Sequence, residues 1–300
     1  VLNSPNAAIR DIDILSEDEK KLLLDFYKGI EDDIDKEFIL SKYFRHIAIS
    51  NPDIIAVDDG VNQISYGELE KSTNSIANDL FENYNISLGS HVALLLPRNY
   101  HFFELVLALN KIGAAFVPID LTYQIKRIEH MLEISESVCI VTTEDIANKL
   151  DFNLKVVCIE DLNYDADVDV DIISRNEDLF SIMFTSGTTG LPKGVKVSNH
   201  QIGGLNIAFK NLFSLSYGEV VGCYVSFSFI ASYMVYPVLA HGGCIRIFNE
   251  NEQKNSLLLI EVLKETPMNN LILPPAVGVP IYENEDLKLD YLILAGAKLN

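Results

Sequence analysis

Tryptophan is absent from the 300 residues, methionine and cysteine each occur only four times, and basic residues are scarce. The 23 lysines and arginines stand against 43 aspartates and glutamates, which gives a formal net charge of −20 at pH 7. A chain with this charge repels nucleic acid and anionic membrane surfaces as a whole, so we predict neither as a partner. Any anionic ligand must therefore be bound by donors and cations that are gathered locally.

Cysteine pairs and long apolar segments are also missing. The four cysteines lie far apart in apolar runs, without a CxxC pair, which predicts neither a disulfide framework nor a metal site. Buried thiols in a reducing, cytoplasmic compartment are the simpler explanation. No signal peptide or apolar stretch of membrane-spanning length is visible. The sequence begins with Val1 rather than methionine, and we expect it to be a segment of a longer protein.

The residues that are present predict a folded α/β domain. An apolar fraction of 48% with only 22% charged residues supports a sizeable core, and 300 residues allow one large domain or two medium ones. From about residue 36, helical and strand patterns alternate at a spacing that predicts a doubly wound, mainly parallel sheet. Residues 1–35 instead predict an amphipathic helix followed by a linker, with Ser16 and Glu19 at capping-box spacing.

A polar stretch of ten residues, Thr185 to Gly194 (TSGTTGLPKG), separates two predicted strands. Its glycines allow close backbone approach to a ligand, its hydroxyls donate hydrogen bonds, and Lys193 adds a mobile positive charge. These groups suit the polyphosphate of a nucleotide, although the stretch is not the common GxxxxGK[ST] loop. The simpler alternative is a polar turn between strands, which glycine and threonine also favour.

The ten-residue stretch resembles the phosphate-loop signature of the acyl-adenylate-forming superfamily, which includes acyl-CoA synthetases, luciferases and the adenylation domains of nonribosomal peptide synthetases. Residues 64–69 (ISYGEL) and 110–120 (NKIGAAFVPID) are similar to the first two signatures of those adenylation domains, and we expect both to be structural. Residues 1–35 are similar to the connector after a condensation domain. The resemblance implies that residues 36–300 form an incomplete N-terminal adenylation core, without the C-terminal part of the fold.

This resemblance implies a reaction in which ATP and a carboxylic acid give an acyl-adenylate and pyrophosphate with the help of Mg²⁺. The acyl group then passes to the phosphopantetheine thiol of a peptidyl carrier domain, next to other domains of an antibiotic-producing synthetase. The positions that match the phosphate loop are Thr185, Ser186, Gly187, Thr188, Thr189, Gly190 and Lys193. The implied adenine site includes Ala295, Gly296 and Ala297.

The resemblance also implies that several functional groups lie outside the sequence. The catalytic lysine belongs to the mobile C-terminal subdomain of the family, and Lys193 is not that lysine. The glutamate that would hold Mg²⁺ and the aspartate that binds the ribose are likewise expected beyond Asn300. We therefore expect the isolated 300 residues to be inactive.

Residues 229–232 (FIAS) resemble the fourth signature, Phe-Asp-x-Ser, whose aspartate binds the α-ammonium group of an amino acid. Ile230 stands at that position, and an ammonium buried without its partner costs about 3–5 kcal/mol. The acyl-pocket positions that the resemblance identifies, none of them charged, are Phe229, Ile230, Ala231, Met234, Ile272, Ile293 and Ala295. They predict an apolar, branched 2-keto acid, of the kind loaded by depsipeptide synthetases.

Several alternatives stay open at the level of the sequence. The substrate alternatives are a 2-hydroxy acid, a plain aliphatic acid and an aryl acid. A local shift in register would instead make Ile230 an ordinary core residue. The parent protein could also be a stand-alone acyl-CoA ligase, or the chain a noncatalytic, adenylation-like structural domain.

Overall fold

The computed structural model describes residues 15–27, 35, 37–186, 192–213, 216–284 and 286–296. The chain divides into two compact units, Val1–Ile34 and Asp35–Asn300. The first unit contains helix α1, Glu17–Tyr27. Ser16 Oγ accepts a hydrogen bond from the Glu19 backbone N–H, and the Glu19 carboxylate accepts one from the Ser16 backbone N–H. The predicted capping box at this helix is therefore confirmed.

The second unit alternates strands with helices. Its helices are α2 Leu40–Ser50, α3 Tyr66–Glu82, α4 His101–Lys111, α5 Ile125–Ser135, α6 Glu144–Ala147, α7 Asn199–Phe213, α8 Tyr236–Ala240, α9 Glu250–Lys254, α10 Ser256–Glu265 and α11 Pro275–Tyr282. Its strands are β1 Ile55–Asp58, β2 Gln63–Ser65, β3 His91–Leu94, β4 Ala115–Pro118, β5 Cys139–Thr142, β6 Lys155–Cys158, β7 Leu179–Ser186, β8 Pro192–Ser198, β9 Val220–Cys223, β10 Cys244–Ile247, β11 Asn270–Leu273 and β12 Tyr291–Leu294. Two 3₁₀ segments cover Ile159–Asp161 and Ile230–Val235.

The described strands form two six-stranded sheets. The first has the order β6-β5-β3-β4-β7-β8, and the second has the order β12-β11-β9-β10-β1-β2. Within the described residues, the β7–β8 and β1–β2 pairs are antiparallel and the other pairs are parallel. The α/β fold with mainly parallel sheets that the sequence predicts is confirmed. Among the described residues, no helix combines the length and apolar character that a membrane crossing requires.

One large core joins elements of both sheets. Buried residues of β3 and β9, such as Val92 and Val221, belong to the same cluster. Aromatic rings form much of this cluster: Phe102 of α4 stacks on Phe227 with the ring centroids 4.1 Å apart, and Phe180 of β7 meets Tyr236 of α8 edge to face at 5.1 Å. Such aromatic pairs stabilise a core beyond the area that they bury. The relative position of the two sheets is therefore fixed by packing.

Buried polar groups of the 110–120 segment tie α4 to its neighbours. The Asn110 side-chain carbonyl accepts from the Ser41 backbone N–H at 3.0 Å, and the Asn110 amide donates to the Asn199 side chain at 2.9 Å. Asn199 in turn donates to Ser174 Oγ at 3.0 Å. These bonds satisfy groups that would otherwise be buried without partners, which supports a structural role for this segment.

Lys111 is fully buried at the C-terminal end of α4. Its ammonium group donates to the Glu70 carboxylate at 2.8 Å, to Thr73 Oγ1 at 2.7 Å and to Asn74 Oδ1 at 2.7 Å. Burial lowers the pKa of Lys111 to about 8, although the Glu70 charge opposes this change. The folded state therefore holds this proton less tightly than the unfolded chain does.

We predict that Lys111→Met alters the pH dependence of stability. An unfolded lysine has a pKa of about 10.4, so between pH 8 and 10 the unfolded state keeps the Lys111 proton that the folded state loses, and Lys111 makes a contribution to the free energy of unfolding that rises with pH. The variant lacks this rise, so the stability difference should move in favour of the wild type across that range. Urea titrations at pH 7.5, 8.5 and 9.5 measure the difference. Lys71→Met, at an exposed position of α3, is the control and should keep the wild-type slope.

Candidate functional site

A cavity of about 680 Å³ opens where strands of both sheets end. Its walls come from residues that close or follow the carboxyl ends of β4, β7, β9, β11 and β12. These residues include Asp120, Phe184, Thr185, Tyr224, Val225, Ser226, Pro274, Ala295 and Gly296. The carboxyl ends of parallel strands are the usual place for a ligand in open α/β sheets, since loops converge there. The fold alone therefore marks this cavity as the candidate site.

Several predicted site residues line this cavity together. Thr185 from the polar stretch, Phe229 and Ile230 from the predicted acyl pocket, and Ala295 and Gly296 from the predicted adenine site all contribute to its wall. Gly296 has a φ of 91°, a left-handed conformation that favours glycine, which explains why glycine occupies the turn after β12. Segments that are far apart in the sequence thus meet at one place.

Four other predicted pocket residues are not among the described residues that line the cavity. Ile272 lies within β11 and is only 3% exposed. Met234 and Ile293 pack against the main core, and Ala231 lies in the 3₁₀ segment after Ile230. The structure therefore places Met234, Ile272 and Ile293 in or against the hydrophobic interior around the site.

The polar stretch is carried by the antiparallel β7–β8 pair. Thr185 pairs directly with Lys193, and Ser186 pairs with Pro192. Directly paired residues point to the same side of a ladder, so the Thr185 hydroxyl and the Lys193 ammonium lie on one face. The predicted site residues Gly187, Thr188, Thr189 and Gly190, between these strands in the sequence, lie outside the described residues, as does Ala297.

Ile230 and Phe229 stand half-exposed at the cavity, with 49% and 44% of their surfaces accessible. Two hydrogen bonds define their turn: the Ser232 N–H donates to the Phe229 carbonyl at 2.8 Å, and Ser232 Oγ donates to the Phe227 carbonyl at 3.1 Å. A core isoleucine would be buried, as most isoleucines are. Among the described residues, Ile230 is therefore not an ordinary core residue, and its match to the fourth signature stays a prediction.

A hydrogen-bond network that the sequence did not reveal joins the loops on two sides of the cavity. Ser226 Oγ donates to the Asp120 carboxylate at 2.5 Å, and Thr122 Oγ1 donates to the same carboxylate at 2.6 Å. Ser226 Oγ is also hydrogen-bonded to Ser228 Oγ at 3.0 Å, and Ser228 Oγ is in turn hydrogen-bonded to the Tyr123 hydroxyl at 3.3 Å. The loop after β4 in one sheet is thereby fixed to the loop after β9 in the other.

Arg98 holds the strand ends next to this network in place. Its guanidinium donates to the backbone carbonyls of Cys223, Val225 and Phe248, at 2.8 Å in each case. Three charge-assisted bonds from one side chain hold the ends of β9 and β10 in place. Burial alone would raise the pKa of the Asp120 carboxyl, but hydrogen bonds from Ser226 and Thr122 and the charge of Arg98 together lower it. Asp120 is therefore a well-satisfied anion.

Three further polar residues on the cavity wall were missed at the level of the sequence: Tyr123, Arg127 and Gln253. The Arg127 guanidinium lies over the Tyr123 ring, 4.0 Å from its centroid. Asp120 carried one usable signal, because it immediately follows the apolar run of a predicted strand. Tyr123, Arg127 and Gln253 carried no such signal, since a single polar residue in a helix or loop is common. In the part of the chain that the structure describes, no three His, Cys, Asp or Glu residues are grouped as metal ligands.

Comparison with known proteins identifies the family. Residues 44–300 match the family described as AMP-binding enzyme. The chain belongs to this family. It is 31% identical over 297 residues to a linear gramicidin synthase of Brevibacillus parabrevis, covering 95% of this chain and 6% of that protein. It is 29% identical over 282 residues to gramicidin S synthase 2 of Brevibacillus brevis, covering 92% of this chain and 6% of that protein.

Solved structures of AMP-binding relatives share the fold. The nonribosomal peptide synthetase FmoA3 with alpha-methyl-L-serine-AMP bound superimposes with a TM-score of 0.85 at 18% identity, over 96% of this chain and 33% of that chain. VinN in complex with 3-methylaspartate gives a TM-score of 0.74 at 17% identity, over 89% of this chain and 74% of that chain. The resemblance to adenylation domains is thus confirmed for family and fold. This AMP-binding chain covers only 6% of the length of each of these gramicidin synthases.

We predict that Asp120→Asn destabilises the AMP-binding fold at neutral pH by about 1–3 kcal/mol, since the amide weakens charge-assisted hydrogen bonds. The lowered pKa of Asp120 means that this stabilisation exists above pH about 4 and is lost as the pH falls further. Chemical denaturation at pH 7 and pH 3 measures both parts. Asp145→Asn, an exposed aspartate whose partner Lys149 is also exposed, should change stability little. An equal loss at pH 3 would contradict the prediction.

Proposed function

We propose that this chain is the N-terminal part of an adenylation domain, which uses ATP to activate a carboxylic acid as an acyl-adenylate. The acyl group is then transferred to the phosphopantetheine thiol of a carrier domain in a cytoplasmic peptide or depsipeptide synthetase. One observation carries the proposal. Thr185, the pair Phe229–Ile230 and the turn Ala295–Gly296 line a single cavity at the carboxyl ends of the strands.

The arrangement suits the chemistry of adenylation. Bringing a carboxylate to the α-phosphate requires phosphate, acid and adenine subsites next to one another, because orientation supplies much of the rate enhancement. Three segments that sequence resemblance assigns to these three subsites share the cavity. The Thr185 hydroxyl and Lys193 ammonium, on one face of the hairpin, supply a donor and a positive charge for phosphate oxygens.

The cavity wall favours an acid without an α-amine. Ile230 and Phe229 offer apolar surface there and no counter-charge for an ammonium group. Asp120 also lines the cavity, but its carboxylate already accepts hydrogen bonds from Ser226 and Thr122. We therefore propose an apolar, branched 2-keto acid as the substrate. A 2-hydroxy, aliphatic or aryl acid also lacks an α-amine, and measured exchange rates distinguish these acids from the keto acid.

Other parts of the reaction are assigned to the parent protein. The gramicidin relatives are many times longer than this chain, which covers 6% of each. We propose that Mg²⁺ ligands, ribose contacts and the catalytic lysine come from residues after Asn300, with carrier and other synthetase domains as partners. Because the reaction needs those groups, the 300 residues alone do not turn over.

We predict that the parent protein catalyses ATP–pyrophosphate exchange with 2-ketoisocaproate at least tenfold faster than with leucine. The physical reason is the cost of placing an ammonium group beside Ile230 without a partner. Exchange rates with 2-ketoisocaproate, 2-hydroxyisocaproate, 4-methylpentanoate, benzoate and leucine rank the candidate acids. The isolated 300-residue chain, assayed in parallel, should show no exchange.

Each contrary result identifies a different error. Preference for leucine contradicts the keto-acid proposal, and parent-like exchange by the isolated chain contradicts its inactivity. Transfer to free coenzyme A without a carrier domain favours a stand-alone ligase. Absence of exchange with every acid, together with no ATP binding, favours a noncatalytic structural domain.

We predict that Ile230→Asp shifts the parent protein toward amino acids. The new carboxylate supplies the missing counter-charge at the cavity, so the ratio of leucine to 2-ketoisocaproate exchange should rise by at least tenfold, about 1.4 kcal/mol. Ile230→Asn is the matched control, because it has nearly the same shape without the charge. Equal ratios for the two variants would show that Ile230 does not face the substrate's α-carbon.

A further inference from the structure

We propose that Arg127 is an anion-binding residue of this cavity and that its ligand is the β,γ-phosphate end of ATP, or the pyrophosphate that leaves. The proposal rests on the proposed function and assigns to that site a positively charged residue that the sequence motifs do not include. Arg127 lies in the first turn of α5 and is half-buried on the cavity wall.

The Arg127 side chain is positioned by its ring contact rather than by its Nε donor. Its guanidinium lies 4.0 Å from the centroid of the Tyr123 ring, a cation–π contact that fixes its location. Nε of Arg127 is buried and has no hydrogen-bond partner. Nε itself is closed off from solvent, so a ligand in the cavity meets the other N–H groups of this half-buried, cavity-lining guanidinium, which can donate to oxygen atoms from a planar fork.

The residues around Arg127 favour an anion over a neutral ligand. Arg127 is the only lysine or arginine among the described residues that line the cavity, in a chain of net charge −20. The cavity's carboxylate, Asp120, is instead hydrogen-bonded to Ser226 and Thr122. A guanidinium is well matched to phosphate, which it can bind through two parallel hydrogen bonds.

The position of α5 favours the phosphate chain over the carboxylate of the acid. Helix α5 packs against β8, the strand that carries Lys193. On the cavity wall Arg127 is accompanied by Phe184 and Thr185, which lie near the carboxyl end of β7. Arg127 therefore lies on the helix that packs against the strand carrying Lys193, and the two cations belong to neighbouring elements.

The test is calorimetric titration of the full chain with ATP, AMP and inorganic pyrophosphate. Arg127→Gln should weaken the Kd for ATP and for pyrophosphate by at least tenfold and change the Kd for AMP by less than twofold. Arg127→Lys, which keeps the charge and loses the paired donors, should recover part of the affinity. Lys126→Gln is the matched control: this neighbour in α5 is exposed, and all three affinities should stay within twofold of the wild type.

The outcomes separate this inference from the proposed function. Unchanged ATP and pyrophosphate affinities in Arg127→Gln, or equal losses for AMP and ATP, overturn the role of Arg127 while adenylation stands. In the parent protein, a raised KM for the acid with an unchanged KM for ATP overturns it in favour of the acid's carboxylate. If the parent protein binds pyrophosphate in a way that depends on Arg127 but activates no acid, the inference is supported and the proposed function is contradicted. If Arg127→Gln does not fold, the Arg127→Lys comparison decides by the same criteria.

Discussion

The hydrogen bond between Ser226 and Asp120 joins the two sheets at the edge on which the cavity depends. Asp120 follows β4 of one sheet, and Ser226 follows β9 of the other. Arg98 holds the second of these loops by three backbone carbonyls, and Phe102 stacks on Phe227 of the same loop. Because these contacts tie both loops to the common core, the strand ends of two sheets share one binding surface.

Charge is the second constraint on this surface. The chain carries a net charge of −20, so a polyphosphate can be held only where donors and cations are concentrated. Thr185 and Lys193 lie on one face of the β7–β8 hairpin, and Arg127 lies on the helix packed against β8. Ile230 and Phe229 add apolar surface to the same cavity wall. The cavity wall thus combines a cation and a hydroxyl with apolar surface, a combination that fits the activity proposed above.

Local patterns explain which structural predictions succeeded. The capping box at Ser16 forms as predicted, and Ser65 forms a second one with Glu68, because each depends only on residues three positions apart. The buried strand before the polar stretch also forms, since five of the six residues from Leu179 to Phe184 are apolar. The apolar residues 231–240 favour a single helix by periodicity, yet a 3₁₀ segment, Ile230–Val235, precedes the short helix α8. Pro237 at the start of α8 and the turn at Phe229 explain the interruption, which helical periodicity alone does not reveal.

The sequence by itself determined the α/β class, the family resemblance and the polar character of residues 185–194, because these properties depend on local patterns and motifs. Only the tertiary structure decided that Ile230 is exposed at the cavity rather than buried, and that Ile272 lies in the interior. Only the structure brought Asp120 to Ser226 and left Nε of Arg127 without a hydrogen-bond partner on the wall that Thr185 also lines. The physical reason is that burial and pairing depend on contacts between distant segments, which no local pattern specifies.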